Sequence, residues 1–146
     1  MNNELKMLDT VQDSLNPIQV IHYGSITAGF PSPVKSSVEE NIDFNQYLRP
    51  NPISTYSFRV SGDSMIEANI PDRSLLIVDR SIVPVNNNIV VAVVNGDFTV
   101  KYFIKNRSGI RLMPANAKYQ PIPITDDMEF SIWGTVTRVI IETLKF

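Results

Sequence analysis

Two segments of the sequence carry side chains that could act together as a nucleophile and a base. The first is Ser-Gly-Asp-Ser-Met at residues 61–65, which directly follows a strand-like run ending at Val60. A serine on a tight, glycine-containing turn can present its hydroxyl beside backbone N–H groups, which is the geometry that an oxyanion hole requires. The second is Lys101, which lies inside the run Phe-Thr-Val-Lys-Tyr-Phe-Ile. A serine and a neutral lysine could together carry out acyl transfer.

Each segment also has an ordinary structural explanation. Residues 61–65 could form a simple turn or the N-cap of a helix, because serine, aspartate and glycine favour both. Lys101 could lie along an open sheet face and extend its amine into water. Taken alone, either segment leaves both explanations open.

Few side chains in this sequence could act as the general base for a nucleophilic serine. A Ser-His-Asp triad would have to use His22, the only histidine, which lies in an N-terminal segment that we expect to be an arm. An arm is a poor place for a pre-organised base. Free lysine has a pKa of about 10.4, so about one molecule in 2,500 is neutral at pH 7. An apolar site could lower that pKa by roughly 3 units, and the surroundings predicted for Lys101 are of this kind.

The composition excludes several other classes of protein. The 146 residues contain no cysteine, which excludes disulfides, thiolate catalysis and cysteine-based metal sites, and the single histidine excludes a multi-histidine site. The formal net charge of -2 argues against a protein that binds the DNA backbone. No run approaches the roughly 18 apolar residues of a membrane span, and the N-terminus lacks the apolar region of a signal peptide. We therefore expect a cytoplasmic protein without a cofactor or a metal.

The elements that would position these side chains are mostly β-strands. Runs rich in β-branched and aromatic residues predict strands at residues 55–60, 75–78, 89–94, 98–104, 110–113 and 130–141. Asn95-Gly96 lies between two of them and predicts a two-residue hairpin turn of type I′. In that register Val90 faces Lys101. Alternation then places Lys101 on one sheet face with Thr99 and Phe103.

The N-terminal part has a different pattern. Two prolines and a glycine at residues 29–33 make a continuous helix unexpected there, so we interpret residues 1–35 as an extended arm. Ser36 or Ser37 could cap a short helix that ends before Pro50. The buried side of that helix would consist of Ile42, Phe44, Tyr47 and Leu48. We therefore predict an arm at residues 1–35 followed by one compact, mostly β domain at residues 36–146.

Three blocks of the sequence carry a family resemblance. They are Ala-Gly-Phe-Pro-Ser-Pro at residues 28–33, Ser-Gly-Asp-Ser-Met-Ile at residues 61–66 and Asp-Phe-Thr-Val-Lys at residues 97–101. In order and approximate spacing they strongly resemble UmuD-type proteins of the LexA/UmuD family of self-cleaving Ser/Lys peptidases. Shorter matches at residues 112–122 and 133–136 extend the likeness. The best-known UmuD proteins have cysteine in place of Ala28, whereas LexA-type repressors commonly have Ala-Gly there.

The resemblance implies a role for each block. It makes Ser64 the nucleophile, Lys101 the general base and Ala28-Gly29 the bond that is cut. The backbone N–H groups of Asp63 and Ser64 would form the oxyanion hole. The implied fold is a compact, mostly β catalytic domain that dimerises, is shared with LexA-type repressors and is related to signal peptidases.

The resemblance also implies partners. A RecA filament on single-stranded DNA would trigger cleavage in the SOS response. The cleaved homodimer would then join a UmuC-type Y-family DNA polymerase in translesion synthesis, without direct sequence-specific DNA binding and without a membrane. Two alternatives stay open, a non-catalytic dimeric polymerase adaptor and a LexA-like repressor fragment. The repressor is disfavoured because only 28 residues precede the expected cut, too few for a helix-turn-helix domain. A signal peptidase would need a membrane anchor, which we do not find in the sequence.

Overall fold

The structure, a computed structural model, describes residues 19–35 and 41–144. The chain divides into two units, with the boundary between Ile53 and Ser54. In the described ranges, no helix is long and apolar enough to cross a lipid bilayer. The boundary predicted between residues 35 and 36 falls next to residues 36–40, which lie outside the described ranges, so that division stays a prediction.

The first unit contains a small sheet and one short helix. Strand β1 (Gln19–Val20) pairs antiparallel with β2 (Ile42–Asp43), and helix α1 (Phe44–Leu48) follows at once. Asp43 is the N-cap, because its carboxylate accepts a hydrogen bond from the backbone N–H of Asn45 at 3.0 Å. The expected capping serines, Ser36 and Ser37, lie outside the described residues, and the helix begins several residues after them.

The side of α1 that we expected to be buried is largely exposed. Phe44 is 42% exposed and Tyr47 is 51% exposed, whereas Ile42 and Leu48 are half-buried. The prediction of a four-residue buried side was therefore wrong for its two aromatic members. A five-residue helix has little more than one turn, so it cannot present the apolar stripe that the pattern suggested.

Residues 25–35 of the arm turn back on themselves rather than running straight. Ser25 and Lys35 form an antiparallel bridge, with two backbone hydrogen bonds of 2.9 and 3.0 Å. Gly24 makes this possible, because its φ is +131° and a Cβ there would come within 2.5 Å of the Lys35 carbonyl oxygen. The chain reverses between the two bridging residues, and the predicted cleavage site lies in that reversal.

The second unit is built on a seven-stranded antiparallel sheet. Its strands are β3 (Thr55–Arg59), β4 (Leu75–Asp79), β5 (Ile89–Val94), β6 (Asp97–Asn106), β7 (Gly109–Met113), β8 (Ile122–Pro123) and β9 (Phe130–Ile140). The spatial order is β3-β4-β9-β5-β6-β7-β8, so the last strand of the chain lies in the interior of the sheet. Two short 3-10 turns, Pro52–Ser54 and Ile66–Ala68, accompany it. The mostly β fold and all six predicted strands are confirmed.

The β5–β6 hairpin has the predicted turn and register. Asn95 and Gly96 have φ values of 50° and 85°, as a type I′ turn requires at both central positions. Val94 is paired with Asp97, and Val90 is paired with Lys101. The register therefore fixes which sheet face carries the lysine.

The sheet curls strongly enough to bring distant strands together. Phe58 on β3 and Phe98 on β6 have ring centroids 6.0 Å apart, although three strands lie between β3 and β6 in the sheet. Trp133 of β9 contacts both rings edge-on, at 4.8 Å from Phe58 and 6.4 Å from Phe98. This curl allows side chains that follow β3 to meet side chains of β6.

Candidate active site

Residues 61–65, called the serine turn here, connect β3 to the 3-10 turn at Ile66–Ala68. Gly62 has a φ of +103°, a value that favours glycine, and its N–H donates to the carboxylate of Asp72 at 2.8 Å. Farther along the turn, the carbonyl oxygen of Ser64 accepts from the backbone N–H of Ala115 at 2.8 Å. The next side chain, Met65, is 1% exposed and belongs to the hydrophobic core. The serine turn is therefore held by hydrogen bonds and anchored by packing.

Lys101 is buried on β6, with 8% of its surface exposed. Its Nζ lies 3.0 Å from Oγ of Ser64, 2.8 Å from Oγ1 of Thr99 and 3.0 Å from the carbonyl oxygen of Val100. The alternative of a lysine that extends its amine into water is thus contradicted. The structure brings together the lysine and the serine that the sequence placed 37 residues apart.

Burial lowers the pKa of Lys101 from its ordinary value of 10.5, because the ammonium form loses hydration in the protein interior. A nearby carboxylate would oppose this effect by stabilising the charge. No ion pair joins Lys101 to an acidic side chain within the part of the chain that the structure describes. The environment therefore favours the neutral amine, which can act as a base.

Both side chains open onto a cleft of about 240 Å³ on the second unit. Its other walls are mostly apolar and come from β3, β4, β5 and β6. The apolar lining residues are Phe58, Val60, Leu76, Val91, Phe98 and Val100. At this cleft Lys101 is buried and Ser64 is half-buried, so a peptide carbonyl that enters the cleft can reach the Ser64 hydroxyl.

Asp63 and Ser64, the predicted oxyanion-hole residues, are half-buried within the serine turn. Among the described residues, neither backbone N–H donates a hydrogen bond to another group. Two adjacent N–H groups without intramolecular acceptors can both donate hydrogen bonds to an oxyanion, as an oxyanion hole requires. His22 belongs to the first unit and not to the unit that carries Ser64 and Lys101.

Ala28 and Gly29 lie in the first unit, in the bend between the bridged residues Ser25 and Lys35. Both are exposed, and the neighbouring Phe30 is 93% exposed. The hydroxyl of Thr27 donates to the carbonyl oxygen of Phe30 at 3.0 Å, which helps to hold the bend. The peptide bond between Ala28 and Gly29 is therefore on the surface of its unit.

Three residues at the site were not singled out for it by sequence reasoning. Thr99 was placed on the same sheet face as Lys101, and this alternation was the available signal for its contact with Nζ. Asn116 and Tyr119 contact Asp63 from 53 and 56 positions away, so no local pattern reveals them.

Comparisons with known proteins identify the family of this chain. The sequence pattern of the Peptidase S24-like family matches residues 19–137. Protein MucA of Salmonella typhimurium is 40% identical over 118 residues, which span 80% of this chain and 80% of MucA. Protein ImpA of the same organism is 37% identical over 124 residues, 80% of this chain and 79% of ImpA. A LexA repressor of Clostridium perfringens is 34% identical over 124 residues, 84% of this chain and 60% of the repressor. The chain therefore belongs to the Peptidase S24-like family, and within it to the UmuD type of the LexA/UmuD group.

Proposed function

We propose that this chain is a SOS mutagenesis protein that cuts itself between Ala28 and Gly29, with Ser64 as nucleophile and Lys101 as general base. The observation that carries the proposal is the 3.0 Å separation between the buried Lys101 Nζ and the Ser64 Oγ. A lysine in water is almost always protonated at pH 7, so a lysine must be desolvated to serve as a base. Here the amine is desolvated and already touches the hydroxyl.

In the neutral form that we propose, Lys101 can satisfy all three of its contacts once the Ser64 hydroxyl acts as the donor. A neutral amine has two N–H donors and one lone pair. The Val100 carbonyl can only accept, and the Thr99 hydroxyl can accept the second N–H. The lone pair is then left for the hydroxyl hydrogen of Ser64. Thr99 and Val100 thus orient the amine so that its lone pair faces the Ser64 hydroxyl.

The reaction follows from that orientation. Ser64 Oγ transfers its proton to Lys101 Nζ and forms a bond to the carbonyl carbon of Ala28. The bond between that carbon and the nitrogen of Gly29 then breaks, and the Lys101 ammonium gives its proton to the departing amine. Water next attacks the acyl-enzyme ester and gives a proton to the Lys101 amine. The bond between the Ala28 carbonyl carbon and Ser64 Oγ then breaks, Lys101 returns that proton to Ser64 Oγ, and residues 1–28 leave as a carboxylic acid that ionises at neutral pH. The backbone N–H groups of Asp63 and Ser64 would stabilise the oxyanion in both halves.

The partners of this reaction are proposed from the family. Cleavage would be stimulated by RecA on single-stranded DNA in the cytoplasm. The product would be a homodimer that serves a UmuC-type Y-family DNA polymerase in translesion synthesis. Membership of the UmuD type supports these assignments, and the chemistry of individual residues adds nothing to them.

Mass spectrometry of the purified protein, after incubation with RecA, ATP and single-stranded DNA, tests the proposal. We expect a fragment that begins at Gly29. Ser64→Ala removes the nucleophile and Lys101→Ala removes the base, so each substitution should abolish cleavage. The double variant should be no slower than either single variant, because both disable one proton transfer.

His22→Ala is the control, and it should cleave at the normal rate. A fragment that begins elsewhere would refute the assigned bond. Intact protein under every condition would favour the non-catalytic polymerase adaptor.

A further inference from the structure

The loop of residues 114–119, called the 114–119 loop here, contacts the serine turn through backbone and side chains. The N–H of Ala115 donates to the Ser64 carbonyl oxygen at 2.8 Å. The Ala115 carbonyl oxygen in turn accepts from the N–H of Glu67 at 2.9 Å. Ala115 is 8% exposed and packs in the core cluster that contains Met65. The loop is therefore fixed both to the serine turn and to the 3-10 turn that follows it.

Asn116 forms a hydrogen bond to the peptide unit that joins Asp63 to Ser64. Its Nδ2 donates to the carbonyl oxygen of Asp63 at 3.0 Å. Its Oδ1 accepts from the N–H of Lys118 at 3.0 Å. The Lys118 N–H can only donate, so it fixes which end of the Asn116 amide is the oxygen. The amide nitrogen is then the atom that faces Asp63.

Tyr119 holds the side chain of the same residue. Its phenol donates a hydrogen bond to Oδ1 of Asp63. That hydrogen bond and the negative charge of Asp63 raise the pKa of Tyr119 from its ordinary value of 10.0, so the phenol keeps its proton in neutral and moderately basic solution. Both the carbonyl and the carboxylate of Asp63 are therefore held from the 114–119 loop.

These contacts constrain the direction in which the backbone N–H of Ser64 points. The carbonyl of Asp63 and the N–H of Ser64 belong to the same planar, trans peptide unit, so they point in opposite directions. Holding the carbonyl oxygen at one end fixes the N–H at the other. That N–H has no acceptor among the described residues, and it is one of the two proposed oxyanion donors.

We propose that Asn116 and Tyr119 are positioning residues for self-cleavage, which aim the Ser64 N–H by holding the carbonyl and carboxylate of Asp63. The inference rests on the proposed function and deepens it. Among the described residues, Lys101 hydrogen-bonds to Ser64, Thr99 and Val100 and not to Asn116 or Tyr119. Both act on the stability of the oxyanion and leave the base unchanged. An effect on rate without an effect on the pH profile is therefore the signature of this role.

The test measures spontaneous cleavage of the whole chain, without RecA, at intervals from pH 7 to 10. Asn116→Asp keeps the acceptor for the Lys118 N–H and replaces the donor with an oxygen that repels the Asp63 carbonyl. Tyr119→Phe removes only the hydroxyl. Asn106→Asp is the matched control for the first, because Asn106 accepts from the Ser108 N–H two residues ahead in the same way. Tyr56→Phe is the control for the second, since Tyr56 is 38% exposed and Tyr119 is 43% exposed.

We expect Asn116→Asp to slow cleavage about 100-fold and Tyr119→Phe about tenfold, because displaced donors lose much of their effect on an oxyanion. Each factor should be the same at every pH, and both controls should match the unmodified protein. Thermal unfolding identifies any variant that does not fold. If Asn116→Asp unfolds, Tyr119→Phe decides alone.

Equal rates in variants and controls would overturn the inference. A profile displaced to higher pH would overturn it too, because the substitution would then have acted through the pKa of Lys101. Absence of cleavage by the unmodified protein, both here and with RecA on single-stranded DNA, would instead overturn the proposed function itself.

Discussion

Burial of Lys101 makes its protonation state depend on pH within an accessible range. The pKa of Lys101 is lowered from 10.5, so the neutral fraction grows about tenfold per pH unit until the lowered pKa is reached. Spontaneous cleavage should therefore accelerate as the pH rises from 7 towards 10. The measurement is the initial rate in the absence of RecA, with Lys101→Ala as the blank. A flat profile would contradict a rate limited by deprotonation of the lysine.

RecA should act on the same equilibrium. If docking of the arm desolvates Lys101 further, its pKa falls and more of the amine is neutral at pH 7. The profile measured with RecA should then move to lower pH more than its maximum rises. An increase by one constant factor at all pH values would show that RecA acts on the position of the arm alone.

The same burial has a consequence for stability. The folded state holds fewer protons on Lys101 than the unfolded chain does between the lowered pKa and 10.5, so stability rises with pH across that window. We compare Ser64→Ala with Ser64→Ala/Lys101→Met, because neither can cleave itself. The free energy of unfolding of the double variant minus that of the single variant should be largest below the lowered pKa. In chemical unfolding experiments, this difference should decline steadily towards pH 10.5. A difference that is constant with pH would contradict a lysine buried in its neutral form.

The residues of the site differ in how far sequence could identify them. The apolar surroundings of Lys101 follow from alternation along one strand and one hairpin, and were predicted. The pairing of that lysine with Ser64 required the family resemblance, because the two residues meet only through the curl of the sheet. The contacts of Asn116 and Tyr119 with Asp63 depend on how a loop after β7 returns to the loop after β3. No periodicity in the sequence encodes such a return.

Among the elements, the β5–β6 hairpin controls the position of the base. A slip of one residue would transfer Lys101 to the opposite face of the sheet. Gly96 has a φ of 85°, where a Cβ is strained although no atom lies within 4 Å of its position. Gly96→Ala should therefore destabilise the fold by about 1–2 kcal/mol.

Gly29→Ala is the matched control for that substitution, since Gly29 has open space and no left-handed φ. Its free energy of unfolding in urea should equal that of the unmodified protein. Equal stability of Gly96→Ala and Gly29→Ala would contradict the turn assignment.

The long strands were predicted from the sequence. The two-residue strands were missed, because each of them forms only through pairing with a partner strand. The two-residue strand β8 was missed, since Pro123 and the short apolar stretch around it gave no strand signal. Strands β1 and β2 were missed for the same reason, because each has two residues and exists only through the other. The helix start expected at Ser36 or Ser37 lies outside the described residues and stays a prediction, whereas the cap of the described helix, Asp43, was not predicted.

In the seven-stranded sheet, the last strand in the sequence, β9, joins the strands on its two sides. β9 pairs with β4 on one side and with β5 on the other, whereas β3 and β8 are the edges. Gly134 permits the close approach to β4, because a Cβ at that position would lie 2.6 Å from Cγ1 of Val78. Backbone amides of β9 and its two neighbours should thus exchange with solvent deuterium most slowly. Faster exchange in β9 than in β3 would contradict the central role of this strand.

The interior position of β9 also determines when the peptidase can exist during protein synthesis. Ser64 follows β3, which pairs only with β4, and Lys101 lies on β6, which is joined to β5 and β7. No hydrogen bonds of the sheet connect these two groups of strands until β9, at residues 130–140, enters between them. Before β9 has been synthesised, the serine and the lysine therefore lack a shared framework. The proposed self-cleavage cannot begin on the ribosome before residues 130–140 have been made and have entered the sheet.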